Sequence, residues 1–578
     1  MASPRLYKIG KRWKVREPDP VLQKALAASL NISPLTSQIL INRGISDLDQ
    51  AGRFLSSTLS DLRSPLDMKG MKEGVERTLK ALHKKEKIAI FGDYDVDGIT
   101  ATSILLLFLT AVGGDVIYHI PERLKEGYGL NPDAVRKLSE KGVTLLITVD
   151  CGISNHSEVR LARELGMDVI ITDHHEVPDD IPPAYAVINP KQPGCPFPFK
   201  HLAGVGVAFN MIISLRAALR DEGFREGREL PNLKEYLDLV ALGTIADVVP
   251  LVDENRIFVK YGLSELANSN KPGIIALKDV SGLKDNVIST DIVGYRLAPR
   301  INAAGRVGAG ADGVRLLTSK KYDEALDIAK LLDEGNKERQ GLEEVILTEA
   351  RDMIDSQPSM KDRRSIVLAS EGWHPGVIGI VASRIAEMYY RPTVLISVRG
   401  GIGKGSARSI HSFKLYDGLK ECSALLETFG GHEYAAGLSL KADNIERFRE
   451  EFERVASKTL SDEDMIPELE IDAMMELNEI TEEVISELES LAPFGKDNSE
   501  PILCSTGVDV AECRVIGNNH LKLKVRQDKT VRDAIGFGMG NLEVYTGISM
   551  DTAYIPQINL WNGRKSIQLK LKDIKICD

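Results

Sequence analysis

The sequence predicts an α/β protein of two α/β lobes, the first built on a doubly wound parallel sheet, joined by a long helix and followed by a small β-barrel. Three observations predict it. Short apolar runs alternate with helical patterns between about residues 71 and 315, a charged stretch from Tyr322 to Ser356 is broken internally only by Gly335 and Gly341, and the chain ends in closely spaced strand-like segments. With 578 residues, 43% hydrophobic and 27% charged, the chain is long enough for three or four domains with real cores.

Residues 1–70, with apolar patches such as "VLQKALAASL" and "SQILINRG", read as an N-terminal helical cap without evident chemistry. In residues 71–315, "KIAIF", "DVIYHI", "TLLITV", "DVIIT" and "AYAVI" read as strands, separated by helices such as "TATSILLLFLTAV", "PDAVRKLSEKG" and "HSEVRLARELG". Apolar runs divided by helical patterns are what a parallel sheet requires. Residues 316–360 form the connecting helix, which "SQPSMKDRR" ends. A second α/β unit occupies 361–460, and 461–578 hold an acidic connector and a strand-rich tail for which an OB-fold is a candidate.

Charge and cysteine content narrow the function classes. The six cysteines form no C-x-x-C pair, which excludes a zinc knuckle and a disulfide framework and points to reduced thiols in a cytoplasm. The first twenty residues lack an apolar signal core, and the longest uncharged stretch, Ile99 to Gly114, is short for a bilayer, so neither export nor a membrane location is expected. The net charge of −11 conceals an uneven distribution: residues 461–500 carry fourteen acids against the single Lys496, which leaves about +2 for all the rest. Residues 511–575 hold eleven Lys and Arg against six acids, a basic surface suited to phosphates.

The chemistry is concentrated at strand ends. "IAIFGD", "LLITVD" and "VIITD" finish on Asp93, Asp150 and Asp173, and in a parallel sheet such ends share the edge where ligands bind. "DYDVDG" adds Asp95 and Asp97, "TDHHE" adds His174 and His175, and "GTIADVVPL" adds Asp247. Like charges so crowded are costly without a cation among them. Carboxylates mixed with imidazoles suit two divalent ions, Mn²⁺ better than Ca²⁺. A strand-ending Asp can also serve simply as a helix N-cap.

In this order and spacing, "DYDVDG", "TVDCG", "TDHHE" and "GTIADVVPL" resemble the motifs of the DHH phosphoesterases, and "TFGGHEYAAGLSL" resembles the glycine-rich motif of their companion DHHA1 domain. The "EGWHPGVIGIVASRIAE" and "LAPFGKDNSEP" segments are similar to those of the family's bacterial single-strand-specific 5′-to-3′ DNA exonucleases, which act in recombination and repair. The resemblance implies a Mn²⁺- or Mg²⁺-dependent nuclease that cuts phosphodiesters by two-metal in-line hydrolysis, with an OB-fold after the second lobe. It further implies single-stranded DNA as substrate, with a helicase and a single-strand-binding protein as partners. Asp95, Asp97, Asp150, His174 and Asp247 then become the metal ligands, with Asp150 between the ions, while Asp93 and His175 have supporting catalytic or substrate duty. "PFGKDNSEP" departs from the family's Gly-Asn-Pro, with Asp497 before Asn498 and Ser499 after it, which bears on the local turn and not on the catalytic residues.

Candidate strand-holding residues follow. In "GIGKGSARSIHSF", backbone amides at the glycines with Lys404, Ser406 and Arg408 could grip a terminal phosphate; an ordinary glycine-rich hairpin is the plainer reading. Arg123, Arg300, Asn302 and Arg306 offer further phosphate contacts or structural ion pairs, and His432 in "FGGHEYAAG" either meets the sugar-phosphate chain or caps a strand-helix turn. Trp373 beside His374 suits lobe packing more than base stacking. Two other functions fit the motifs: a DHH phosphodiesterase of short oligonucleotides or cyclic dinucleotides, and a catalytically silent DNA-binding replication scaffold. The basic tail argues against the first and the complete set of acids against the second.

Overall fold

A computed structural model describes residues 10–122, 126, 127, 129–223, 229–283, 287–307, 310–357, 360, 362–517, 519–561 and 563–577. It divides the chain into two compact units. One contains Gly52–Lys337 and Leu491–Ser499; the other contains Met1–Ala51, Glu338–Ser490 and Glu500–Asp578. The N-terminal stretch begins with a strand, β1 (Arg12–Val15), ahead of helices Pro20–Leu30, Pro34–Asn42 and Leu48–Ser56, so the expected cap is not wholly helical.

The Gly52–Lys337 unit is built on five parallel strands, β2 (Lys87–Gly92), β3 (Asp115–His119), β4 (Val143–Val149), β5 (Asp168–Thr172) and β6 (Ala186–Ile188), in the order β3-β2-β4-β5-β6. The strand residues alternate between two cores. Ile88, Ile90, Leu145, Ile147 and Ile170 pack with Ile104, Leu105 and Phe108 of the helix Val96–Ala111, while Ala89, Phe91, Leu146, Val169 and Ile171 pack with Val135 and Val159 on the other face. Burial on both faces is why these strands read as unbroken apolar runs. The uncharged Ile99–Gly114 stretch therefore belongs to a core helix, and no helix among the described residues is long and apolar enough to cross a membrane.

In the second unit, β7 (Ile366–Ser370), β8 (Thr393–Arg399), β9 (Ile402–Arg408), β10 (Thr428–Gly431) and β11 (Ala435–Lys441) form a sheet of order β10-β11-β9-β8-β7, parallel only between β7 and β8. Phe448 and Phe452 of the helix Ile445–Thr459 cover one face; Trp373, in the loop after β7, and Ile378 of the helix Ile378–Tyr389 pack with Leu368 and Leu395 on the other, together with Ile346 and Ala350. The chain reaches this unit through the 34-residue helix Tyr322–Asp355.

Beyond β12 (Glu468–Ile471) and β13 (Ala473–Met474), strands β14 (Leu503–Ile516), β15 (His520–Gln527), β16 (Thr530–Gly536), β17 (Ser549–Trp561) and β18 (Arg564–Ile576) follow the order β14-β15-β16-β18-β17, and a β14–β17 pairing closes the barrel. β16 and β18 run parallel, as the OB topology requires. β1 pairs in parallel with β12, register Arg12 to Glu468, and Asn42 donates to Asp472 at 3.1 Å. The N-terminal residues thus belong to the same unit as the tail.

Candidate metal centre and strand-binding surfaces

The sheet order places the reversal of winding between β2 and β4, and a parallel sheet opens a ligand crevice at that point. Gly92 is in register with Val149, and Val149 with Thr172, so Asp93, Asp150 and Asp173 leave neighbouring strands at one edge. Asp95 is indeed a helix N-cap, its carboxylate accepting the Gly98 N–H at 3.0 Å. Asp97, in the first turn of that helix, accepts the Gly204 and Val205 N–H groups at 2.6 and 2.8 Å, so it also caps the helix Gly204–Asp221. Asp247 follows the helix Leu237–Ala246, and the next residue, Val248, has φ +58°. Asp150 itself has φ +60°. A β-branched residue in the left-handed region is strained, and such strain accompanies functional sites.

These elements bring the predicted acids and histidines together. His174 Nε2 lies 3.1 Å from Asp150 Oδ1, 3.6 Å from Asp247 Oδ2 and 3.8 Å from Asp97 Oδ2. Ligand atoms of Asp97, His174 and Asp247 lie within 4.8 Å of one another; so do those of Asp93, Asp95 and Asp150, and those of Asp150, His174 and His175. Asp150 joins two of these groups, and Asp93 falls in one of them. Asp173, which the sequence placed at the edge without a role, is fully buried and acts as a hub. Its Oδ1 accepts the His174 and His175 backbone N–H groups at 2.8 and 3.1 Å and meets His175 Nδ1 at 2.8 Å, while Oδ2 accepts the Ile153 N–H at 3.0 Å.

Electrostatics fits a cation here. Burial, then the charge of Asp95, pushes Asp97 up to about 7. Burial followed by neighbouring carboxylates raises Asp150 and Asp247 well above the carboxylate range. Burial lowers His174 to about 3, which leaves a neutral imidazole with a lone pair to give. Burial works against the charge of His175, but Asp173 outweighs it and raises that imidazole. Asp150 Oδ1, Asp247 Oδ2 and His174 Nε2 are buried without a hydrogen-bond partner; the 3.1 Å approach lacks hydrogen-bond alignment. Hard oxygen donors with one borderline nitrogen, left unsatisfied, match Mn²⁺ or Mg²⁺.

The strand-holding candidates are dispersed. Arg123 and the side chain of Arg306 lie outside the described residues. Arg300 is committed to Asp333 at 2.8 Å. Asn302 accepts the Val96 N–H at 3.1 Å and so braces the first turn after Asp95. In the other unit, "GIGKGSAR" is a hairpin turning at Gly400 and Gly401, and β9 has neighbours on both sides. Its amides therefore belong to the sheet ladders, so the expected amide grip is replaced by side chains. Arg408 Nε donates to Ser383 at 3.0 Å and Nη1 to Ser406 at 3.2 Å, and Ser383 is a partner the sequence did not single out. "FGGHEYAAG" is a turn between β10 and β11, not a strand-helix turn, and presents His432 exposed. Trp373 is fully buried, its N–H donating to Glu349 at 2.8 Å. On the barrel, Lys524 pairs with Glu512 and Arg526 with Asp509. Arg514 and Lys522 face each other across β14–β15 beside a groove of about 590 Å³ and have no ion pair among the described residues.

Comparison with known proteins agrees with this geometry. Residues 87–244 match the DHH family N-terminal domain, 363–458 the DHHA1 domain and 471–573 the RecJ OB domain. The chain is 41% identical over 573 residues to the single-stranded-DNA-specific exonuclease RecJ of Bacillus subtilis, covering 98% of this chain and 71% of the relative. It is 35% identical over 558 residues to the Escherichia coli RecJ, covering 94% and 96%. Among solved structures, RecJ of Thermus thermophilus in complex with Mn²⁺ superposes with a TM-score of 0.83 at 32% identity, covering 98% of this chain and 80% of that one. The Mg²⁺ complex of RecJ from the same organism gives 0.78 at 29%, covering 98% and 79%.

Proposed function

The chain belongs to the RecJ family of metal-dependent, single-stranded-DNA-specific exonucleases, and from that premise we propose that it removes nucleotides in the 5′-to-3′ direction by two-ion in-line hydrolysis. The observation that carries this reading is the convergence of Asp97, Asp150, His174 and Asp247, from four separate elements, into one group in which Asp150 Oδ1, Asp247 Oδ2 and His174 Nε2 are buried without a hydrogen-bond partner among the described residues. Asp95, Asp97, Asp150, His174 and Asp247 would hold the ions, with Asp93 supporting the set. When bound, the ions supply a water activated for attack and neutralise charge growing on the phosphate oxygens. His175, its Nδ1 held by Asp173, presents Nε2 to a phosphate oxygen. Asn302 fixes the turn that carries Asp95 and Asp97 by accepting the Val96 N–H.

Arg408, aligned by Ser383 and Ser406, binds the terminal 5′-phosphate, with His432 of the same unit as a further strand contact, and a charge-assisted grip on one end gives the enzyme its direction; Arg123 and Arg306 serve as strand contacts of the metal-binding unit. The barrel holds the strand through Arg514 and Lys522. Since only single strands are taken, a strand-separating helicase and a single-strand-binding protein act with it, in the cytoplasm where its unpaired cysteines stay reduced. End-labelled single strands, with and without a 5′-phosphate, test the reading when digested in Mn²⁺ and in EDTA. Mn²⁺-dependent release of mononucleotides from the phosphorylated 5′-end is expected; release from the 3′-end, or undiminished digestion in EDTA, overturns it.

A further inference from the structure

Within residues 461–500 fourteen acids surround one basic residue, Lys496. The segment that carries it, Leu491–Ser499, belongs to the compact unit of the metal centre rather than to the unit of its chain neighbours. Arg256 ties it there, and Asn498 holds its loop in shape. Arg256 Nη1 donates to the Leu491 carbonyl at 2.8 Å, and the buried Asn498 donates to the Leu491 and Pro493 carbonyls at 3.0 and 2.7 Å. Gly495 bridges to Asn498 through Asp497 at φ +59°, a conformation that Asp tolerates, so the turn survives the departure from Gly-Asn-Pro.

The Lys496 carbonyl accepts the Leu251 N–H at 2.8 Å. Gly495 lies so close that a β-carbon on it would stand 2.6 Å from Leu251 Cδ1. Leu251 is four residues after Asp247, past the strained turn at Val248, so the backbone of Lys496 is fastened to the turn that leaves the metal cluster. The side chain is exposed, and its ammonium has no ion pair or hydrogen bond among the described residues. Lys191, the other lysine near the cluster, is paired with Glu176 at 2.7 Å.

We propose that Lys496 is a phosphate-binding residue of the metal centre, holding the single strand by a backbone phosphate next to the bond that is cut. A cluster of carboxylates repels the polyanion it must admit, and a cation at its rim offsets that repulsion. An ammonium with three rotatable donors suits this duty, because it grips a phosphate without reading a base. The segment before the barrel thereby contributes to the catalytic unit as well as linking to the tail. This inference rests on the single-strand-cleaving reading above.

Lys496→Gln keeps the backbone clasp and removes only the charge. Relative to wild type, in Mn²⁺ on a 5′-phosphorylated single strand, kcat/KM should fall by about tenfold, as for one lost charged contact. Its dependence on salt should become shallower by about 0.7 in the log-log slope. Lys496→Arg should restore most of the activity, with Tm and Mn²⁺ affinity unchanged in both variants. An unchanged kcat/KM for Lys496→Gln, or a loss accompanied by lower Tm or Mn²⁺ affinity, overturns the assignment. Wild-type protein that left single strands intact in Mn²⁺ would instead overturn the functional reading beneath it.

Discussion

The backbone of Gly204 passes so close to Asp150 that a β-carbon on it would stand 2.7 Å from the carboxylate Oδ1. Gly204 opens the helix whose N–H groups bind Asp97, so one residue sets the spacing of two candidate ligands. Gly204→Ala should suit the helix yet displace Asp150. Hydrolysis in Mn²⁺ should fall by about a hundredfold, the scale of a misplaced catalytic group, with Tm changed little. Full activity in a well-folded Gly204→Ala protein would show that Asp150 does not need its present position.

Asp150→Ala should abolish hydrolysis and lower Mn²⁺ stoichiometry without destabilising the metal-free protein, because it relieves repulsion among buried carboxylates. Activity assays paired with metal analysis and thermal melts in EDTA check both halves. Wild-type activity with full metal content would end the two-ion reading.

The raised carboxylates also predict a pH dependence. Folded, Asp97 keeps its proton up to about 7, whereas its usual value is 3.8. Between those values the native state binds more protons than the unfolded chain, so the stability of the metal-free protein falls as pH rises through that window. Mn²⁺ needs the deprotonated acids and neutralises them, so the gain in Tm on adding it should be larger at about pH 8 than at about pH 5.5. An equal gain at both values would refute the linkage.

Arg408→Ala should remove most of the advantage of a 5′-phosphorylated over a 5′-hydroxyl strand, about ten- to a hundredfold in kcat/KM, without depleting the metals. If the ratio stays constant, the grip belongs to other arginines. The Ser383 contact predicts a smaller loss of the same kind for Ser383→Ala.

Replacing Arg514 and Lys522 by Ala should weaken binding to long strands more than cleavage of a short oligonucleotide, and should flatten the salt dependence by about 1.4 in slope. Stability should hold or rise, since like charges directly opposed across two strands are unfavourable. Unaltered affinity at low salt would move strand binding to another surface.

The strands and their terminal acids were legible because burial on both faces leaves continuous apolar runs, each ending where Asp93, Asp150 or Asp173 begins. Contacts between distant residues were not. Nothing in "DYDVDG" indicates that Asp97 will cap a helix 107 residues later, nor does "APRINAAGR" reveal that Asn302 braces Val96 while Arg300 turns to Asp333. The glycines of β9 suggested a phosphate loop, but the sheet takes up their amides, a competition that local sequence does not display. Asp173 ended a strand like its neighbours; only its buried contacts mark it as the residue that orients the two histidines.

The pairing of Arg12 with Glu468 joins residues 456 positions apart. On a ribosome that adds about 5–20 residues each second, the first strand waits roughly half a minute to a minute and a half for its partner. The metal-binding unit also waits, for Leu491–Ser499. A chain terminated before Leu491 therefore lacks a finished copy of either unit, whereas one terminated after Ser499 completes only the metal-binding unit, so the two units are finished in succession, late in translation.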